Sequence, residues 1–265
     1  MADLNPVSAW RRMLAMPNES RGKTIAMAFV TAAICAVLVT VATVLLLPIQ
    51  AQNRAAEEQA RMESLLAAIP GMTDLLAAAG ESLSTVVIDL DTGHAAEGVT
   101  PETLPAALND QANWSAIPPQ DDAAGIGTRP DLAQIFILRE SEEIRLLILP
   151  VVGSGYGGPI EAMLALEGDL KTLAGMTVTR QSETPGLGAR IEEPAWQAQF
   201  AGRPAVDAAG TPVISVARGA ATSEYEVDGI TGATRTVNGV NGMIRYWLGP
   251  DGYGPLLDAI RRREF

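Results

Sequence analysis

Apolar residues follow three patterns along the chain. Residues 25–47 form an unbroken apolar run of 23 residues without a charge. As a helix at ~1.5 Å per residue this run is about 35 Å long, enough to cross a bilayer. Further on, apolar residues gather in short clusters bounded by Gly, Pro and Asp, the pattern of strands joined by turns. Residues 85–90, 134–138, 144–152, 162–167, 176–181 and 213–216 are the expected strands, the last of them the last strand before the stretch 228–236. The charged turn 139–143 and the pair Gly168-Asp169 separate two strand pairs, predicting two hairpins. Near the end, Val237, Val240, Met243, Ile244, Trp247 and Leu248 recur at spacings of three and four, predicting an amphipathic helix.

The intervening stretches complete the outline. Residues 50–79 are rich in Ala, Glu, Gln and Leu and predict helices broken at Pro70-Gly71, continuing from the apolar run as a stalk. Asp91-Thr92-Gly93 reads as a turn, with His94 exposed after it. Residues 98–130, rich in Pro, Ala, Asp and Gly, read as irregular surface loops. Glu193-Pro194 opens a short helix through Phe200. The expected fold is α+β: a single N-terminal transmembrane helix, then an extracytoplasmic domain with a mixed, largely antiparallel sheet flanked by helices. Its divisions are a cytoplasmic segment (1–24), the transmembrane helix (25–47), a helical stalk (48–80) and the main domain (81–265).

Charge orients this plan. The 265 residues carry a formal net charge of −12. Arg11, Arg12, Arg21 and Lys23 outweigh Asp3 and Glu19 ahead of the span, so the rest of the chain carries −14. The basic flank places the N-terminus in the cytoplasm and the main domain across the membrane, in the periplasm of a Gram-negative cell. The apolar run is longer than the core of a secretory signal and starts later, which predicts a retained anchor. The acidic main domain argues against a nucleic-acid partner. Cys35 is the only cysteine and His94 the only histidine, so an intrachain disulfide and a multi-histidine metal site are excluded. The adjacent pairs Glu192-Glu193 and Asp121-Asp122 point apart and belong to solvated surface.

Three stretches concentrate chemistry. Gly153-Ser154-Gly155-Tyr156-Gly157-Gly158 matches G-x-G-x-x-G after a strand, but Pro159 and a further strand follow where a dinucleotide site needs a helix. It reads as a turn whose backbone approaches a ligand closely. In Glu183-Thr184-Pro185-Gly186-Leu187-Gly188, Pro185-Gly186 favours a tight turn. That turn lifts Leu187 and presents Thr184 and Glu183 beside it, an arrangement that suits a flat aromatic ligand; a plain loop is the other reading. Asp228-Gly229-Ile230-Thr231-Gly232-Ala233-Thr234-Arg235-Thr236 leads into the C-terminal helix. It is either a phosphate site at a helix N-terminus or a turn with a threonine cap.

With an N-terminal anchor ahead of them, these stretches resemble the FMN-binding domain family. D-x-x-[S/T]-G-A-T at 228–234 is similar to its flavinylation motif. In that family a flavin transferase uses FAD and leaves FMN joined by a phosphoester to the last threonine, here Thr234. The resemblance implies that Asp228, Thr231, Gly232 and Ala233 surround the attachment. It also implies that Glu183, Thr184, Leu187 and Gly188 lie beside the isoalloxazine ring. The chemistry agrees. A phosphoester needs a hydroxyl, Gly232 and Ala233 allow close approach, and Thr231 and nearby N–H groups can donate to phosphate. Asp228 is negative like the phosphate, so its role is ordering the loop or recognition by the transferase.

Residues 18–24, 164–170, 245–249 and 252–255 further resemble the NqrC branch of that family, from Na+-translocating NADH:quinone oxidoreductases, while 155–160 is closer to the RnfG branch, from Rnf ferredoxin:NAD oxidoreductases. The two ends favour the first branch. The resemblance then implies an inner-membrane electron carrier with covalent FMN, one subunit of a complex moving electrons from NADH to ubiquinone with Na+ export. Its partners would be the other subunits, the transferase and the lipid bilayer. It implies no NADH site on this chain, and the uncharged span cannot form a Na+ path alone. The alternatives are an Rnf-type subunit and a flavin-free anchored binding or assembly domain in which 231–234 only caps a helix.

Overall fold

The computed structural model describes residues 15, 17, 20–40, 83–140 and 143–265. The chain divides into two units, Met1–Ala60 and Arg61–Phe265. The stalk expected at 48–80 and the end of the apolar run lie outside the described residues.

In the first unit, helix α1 spans Arg21–Thr40 and is long and apolar enough to cross a membrane. Its apolar side chains, among them Phe29, Ile34, Val37 and Leu38, are exposed, which water penalises and lipid does not. Within the run, the Thr40 hydroxyl donates to the Ala36 carbonyl at 2.8 Å. That bond satisfies the only polar group the side chain carries.

The second unit is α+β. In chain order it contains β1 (Leu83–Asp89), α2 (Leu104–Ala107), β2 (Trp114–Ala116), β3 (Thr128–Pro130), β4 (Leu132–Glu140), β5 (Glu143–Ser154), β6 (Pro159–Glu167) and β7 (Leu173–Arg180). There follow α3 (Pro194–Gln197), β8 (Ser215–Val216), β9 (Glu226–Val227), α4 (Thr234–Trp247) and α5 (Gly254–Arg261). The main sheet runs β1-β4-β5-β6-β7 and is antiparallel throughout. Both expected hairpins form, β4–β5 and β6–β7. Alternate residues serve two cores. Leu147, Leu149, Val151, Ile160, Leu164 and Leu166 join the larger one, while Phe136, Leu138, Leu146 and Ile148 form a second. Burial on both faces explains why these strands read as continuous apolar runs rather than strict alternations.

Two expectations are corrected. Residues 98–130 are not wholly irregular, since they hold α2 and the β2–β3 pair. These elements are three or four residues long, too short for periodicity to register. The strand at 213–216 shrinks to β8 and is not the last, because β9 pairs with it in parallel. Asn241 on α4 clasps β8 through its side-chain amide, accepting from Val216 N–H and donating to Val216 O, a long-range contact that no local pattern announces.

Helix α4 buries Val237, Val240, Met243, Ile244 and Trp247, the positions its spacing predicts. It lies unusually close to β5. A Cβ on Gly153 would come within 2.7 Å of Met243 Cβ, and one on Gly239 within 2.3 Å of Ser154 O. The Trp247 indole donates to the Val152 carbonyl and the buried Tyr253 hydroxyl to that of Pro150, both at 2.7 Å. These contacts bring the start of α4 against the β5–β6 turn.

Candidate functional site

Three chain segments meet at the start of α4. The first follows β7. Leu187 N–H and Ala189 N–H both donate to the Thr184 carbonyl at 3.1 Å. Between Thr184 and Leu187, Gly186 has φ +76°, so Pro185-Gly186 forms the tight turn its residue types predict. Leu187 is 43% exposed and Thr184 is exposed, so the turn lifts both to the surface.

Glu183 departs from that expectation. It is only 5% exposed and faces inward rather than standing beside Leu187. Its Oε1 accepts from the Gly157 N–H at 2.9 Å and its Oε2 from the Thr236 hydroxyl at 2.5 Å. A buried carboxylate is tolerated only when such donors replace water. Here the donors come from the β5–β6 turn and the first turn of α4, so one side chain ties all three segments together. Gly188 is buried beneath the same knot. A Cβ there would lie 2.5 Å from both Glu183 Oε2 and Thr236 Oγ1, so Gly188 is required for packing rather than for flexibility. The G-x-G-x-x-G turn contributes to the same knot through Gly157. The Gly157 N–H of its backbone is taken by Glu183 of this chain.

The third segment is 228–236. Asp228 orders it. Its carboxylate accepts from Ala221 N–H at 2.7 Å, its N–H donates to the Gln199 side chain at 2.9 Å, and its carbonyl accepts from the Trp196 indole at 2.8 Å. Ile230 and Ala233 are buried, which leaves Thr231 and Gly232 on the outside. Gly232, at φ +79°, turns the chain, and a Cβ on it would sit 3.0 Å from Leu187 Cδ2. Leu187 and the 231–234 stretch are therefore neighbours.

No threonine caps α4. The N-cap is Ala233, without a side-chain bond, and the first helical bond runs from Val237 N–H to Ala233 O. The N–H groups of Thr234, Arg235 and Thr236 thus have no backbone acceptor within the helix. The Thr236 hydroxyl is taken up by Glu183. Thr234 is exposed, and among the described residues its hydroxyl has no hydrogen-bond partner. The flavin-free alternative needed a threonine cap here, and the geometry does not form one. Next to Thr234, the Arg235 guanidinium lies 5.3 Å from the centre of the Tyr156 ring, and Tyr156 is 61% exposed. The result is an open surface with a free hydroxyl, free N–H donors, one cation and two exposed apolar side chains, Leu187 and Tyr156. Those residues fit a phosphate joined to a flat ring.

The FMN-binding domain profile matches residues 155–249, which contain Tyr156, Glu183, Thr234 and Thr236 together. The chain is 32% identical to NqrC of the Na(+)-translocating NADH-quinone reductase of Vibrio alginolyticus, across 95% of this chain and 99% of that one. With NqrC of Pseudomonas aeruginosa the identity is 34%, across 93% and 98%. The chain belongs to the NqrC family. The crystal structure of Shewanella oneidensis NqrC, a family member, superposes with a TM-score of 0.63 at 26% identity, covering 72% of this chain and 88% of that one. A family member from Parabacteroides distasonis, at 21% identity and a TM-score of 0.55, shares the fold.

Of the residues expected at the flavin, the structure brings Leu187, Gly188, Thr231, Gly232, Ala233 and Thr234 to one place, with Thr184 on the Leu187 turn. It moves Glu183 below the surface and gives Asp228 to the loop behind. Sequence reasoning missed Thr236, Arg235 and Tyr156. Only Arg235 carried a signal, since it is a cation beside the expected phosphoester.

Proposed function

We propose that this chain is the membrane-anchored electron-carrier subunit of a Na+-translocating NADH:quinone oxidoreductase, with FMN joined by a phosphoester to Thr234 Oγ1. One observation carries the reading: Thr234 offers an unbonded, exposed hydroxyl at the uncapped start of α4, beside exposed Leu187, inside a region that matches the FMN-binding domain. Bound FMN would supply the electron transfer, and the chain supplies tethering, orientation and exclusion of competing partners.

Each residue then has a role. Thr234 provides the ester oxygen. Thr231 and the N–H groups of 234–236 donate to phosphate oxygens at the positive end of the helix. Gly232 and Ala233 leave room beside Leu187 and Thr184, which meet the ring. Glu183 and Gly188 hold that surface in shape from below. The chain passes electrons between partner centres on the path from NADH to ubiquinone, coupled to Na+ export by the other subunits. The basic flank of α1 puts the N-terminus in the cytoplasm and the domain in the periplasm, where a covalent tether prevents loss of an exposed flavin. A flavin transferase recognises 228–234 during maturation, and α1 sits in the lipid bilayer.

The test is denaturing electrophoresis of the full chain, expressed with the transferase, viewed by flavin fluorescence and by intact mass. The expected result is a fluorescent band, heavier by FMN less one water, that disappears in Thr234→Ala. A wild-type chain without fluorescence in such a host would refute the reading.

A further inference from the structure

Arg235 stands where a helix disfavours it. It occupies the second position of α4, whose N-terminus carries the positive end of the helix dipole. Among the described residues no acid lies in the first turn of α4, and Arg235 forms no ion pair. Its side chain is instead held over the face of Tyr156, 5.3 Å from the ring centre. Helical side chains lean toward the N-terminus, so this guanidinium leans toward the end of the helix that bears Thr234. The helix start thus combines three unfavourable features: no cap, no acid and an added cation. A single negative group esterified to Thr234 would relieve all three.

We infer that Arg235, steered by the Tyr156 ring, is the positioning residue that neutralises the phosphate on Thr234. The inference rests on the reading of Thr234 as the FMN attachment site. The phosphoester retains one negative charge after attachment, and Arg235 supplies a matching positive one. The ring of Tyr156 restricts the guanidinium before the flavin arrives, so less freedom is lost when it pairs.

A sign reversal tests this. The full chain is purified in detergent in two forms, without flavin from a host that lacks the transferase and with flavin from a host that has it. Thermal unfolding of wild type, Arg235→Gln and Arg235→Lys is then compared. Without flavin, and with Tyr156→Ala so that no ring contact is lost, Arg235→Gln removes a cation from the positive helix end, and Tm rises by about 1–3 °C. With flavin, the same change removes the counter-charge, and Tm falls by at least as much. Arg235→Lys keeps the charge and so stays close to wild type in the loaded form, and the loaded difference shrinks in about 0.5 M salt. Tyr156→Ala, which frees the guanidinium, reduces the loaded penalty of Arg235→Gln. A shift of the same sign in both forms, or a loaded difference unaffected by salt, overturns the role of Arg235. Absence of a fluorescent wild-type band would instead refute the attachment at Thr234, so the two failures are distinguishable.

Discussion

Thr236→Val isolates the bond that holds the site together. Valine replaces the hydroxyl by a methyl of nearly the same shape and keeps the β-branched side chain that Thr236 already places in α4, so no cavity opens. What disappears is the donor to Glu183 Oε2, in a pair where Glu183 is 5% and Thr236 2% exposed. A hydrogen bond to a charged group contributes about 1.5–3 kcal/mol. Burial forbids water from replacing it, while the Gly157 N–H retains the other oxygen. The expected cost is therefore about 2 kcal/mol. Equilibrium urea unfolding of the full chain in detergent, followed by tryptophan fluorescence, measures it, with Glu183→Ala and the double variant closing a cycle. A coupling above about 1 kcal/mol is expected, because the double variant leaves no buried acceptor waiting for the lost donor. A cost for Thr236→Val under about 0.5 kcal/mol, or additive single effects, would refute the account of Glu183 as the tie between the three segments.

Other outcomes follow from the same geometry. Gly188→Ala should destabilise by about 2–4 kcal/mol, since its methyl meets Glu183 and Thr236 at 2.5 Å and must both strain the packing and part the bond; urea unfolding reads it, and flavin fluorescence per chain should fall alongside. Asp228→Asn keeps an oxygen for the Ala221 N–H and should leave flavin content unchanged if the residue only orders its loop; loss of fluorescence in this variant would assign Asp228 to transferase recognition instead. Burial raises the Tyr253 phenol above its ordinary value, and its hydroxyl donates to the Pro150 carbonyl at 2.7 Å. The folded chain then keeps a proton that the unfolded chain loses near pH ~10, so stability holds below that pH and declines above it by ~1.4 kcal/mol per unit. Tyr253→Phe should cost about 1 kcal/mol at neutral pH and flatten the alkaline decline in pH-dependent unfolding. Tyr246, which burial also raises, leaves a residual slope.

Much of the site was legible before folding. The turn at Pro185-Gly186 and the buried face of α4 follow from rules spanning a few residues, and the structure forms both. Thr234 was singled out by the motif that ends on it, and it is exposed at the head of α4. The orientation of Glu183 was not legible, because a glutamate beside an exposed leucine looks solvated until its partners are known. Those partners lie 26 and 53 residues away. Nor was the uncapped start of α4, since a stretch with threonines at 231, 234 and 236 offers several possible caps, and only the backbone geometry makes Ala233 the cap.

Local patterning was enough to mark the apolar span, the central strands and the helix that follows the motif, because periodicity is read within a few residues, whereas Thr234 was marked by the resemblance of 228–234 to a family motif. Folding had to add that Glu183 supports the surface from beneath, that the Gly157 N–H of the glycine-rich turn serves this chain's own carboxylate, and that Arg235 rests on Tyr156 beside Thr234. Each of these depends on segments far apart in the chain being pressed together by a shared core, where a buried charge must find its donors and a glycine is needed wherever a Cβ would collide.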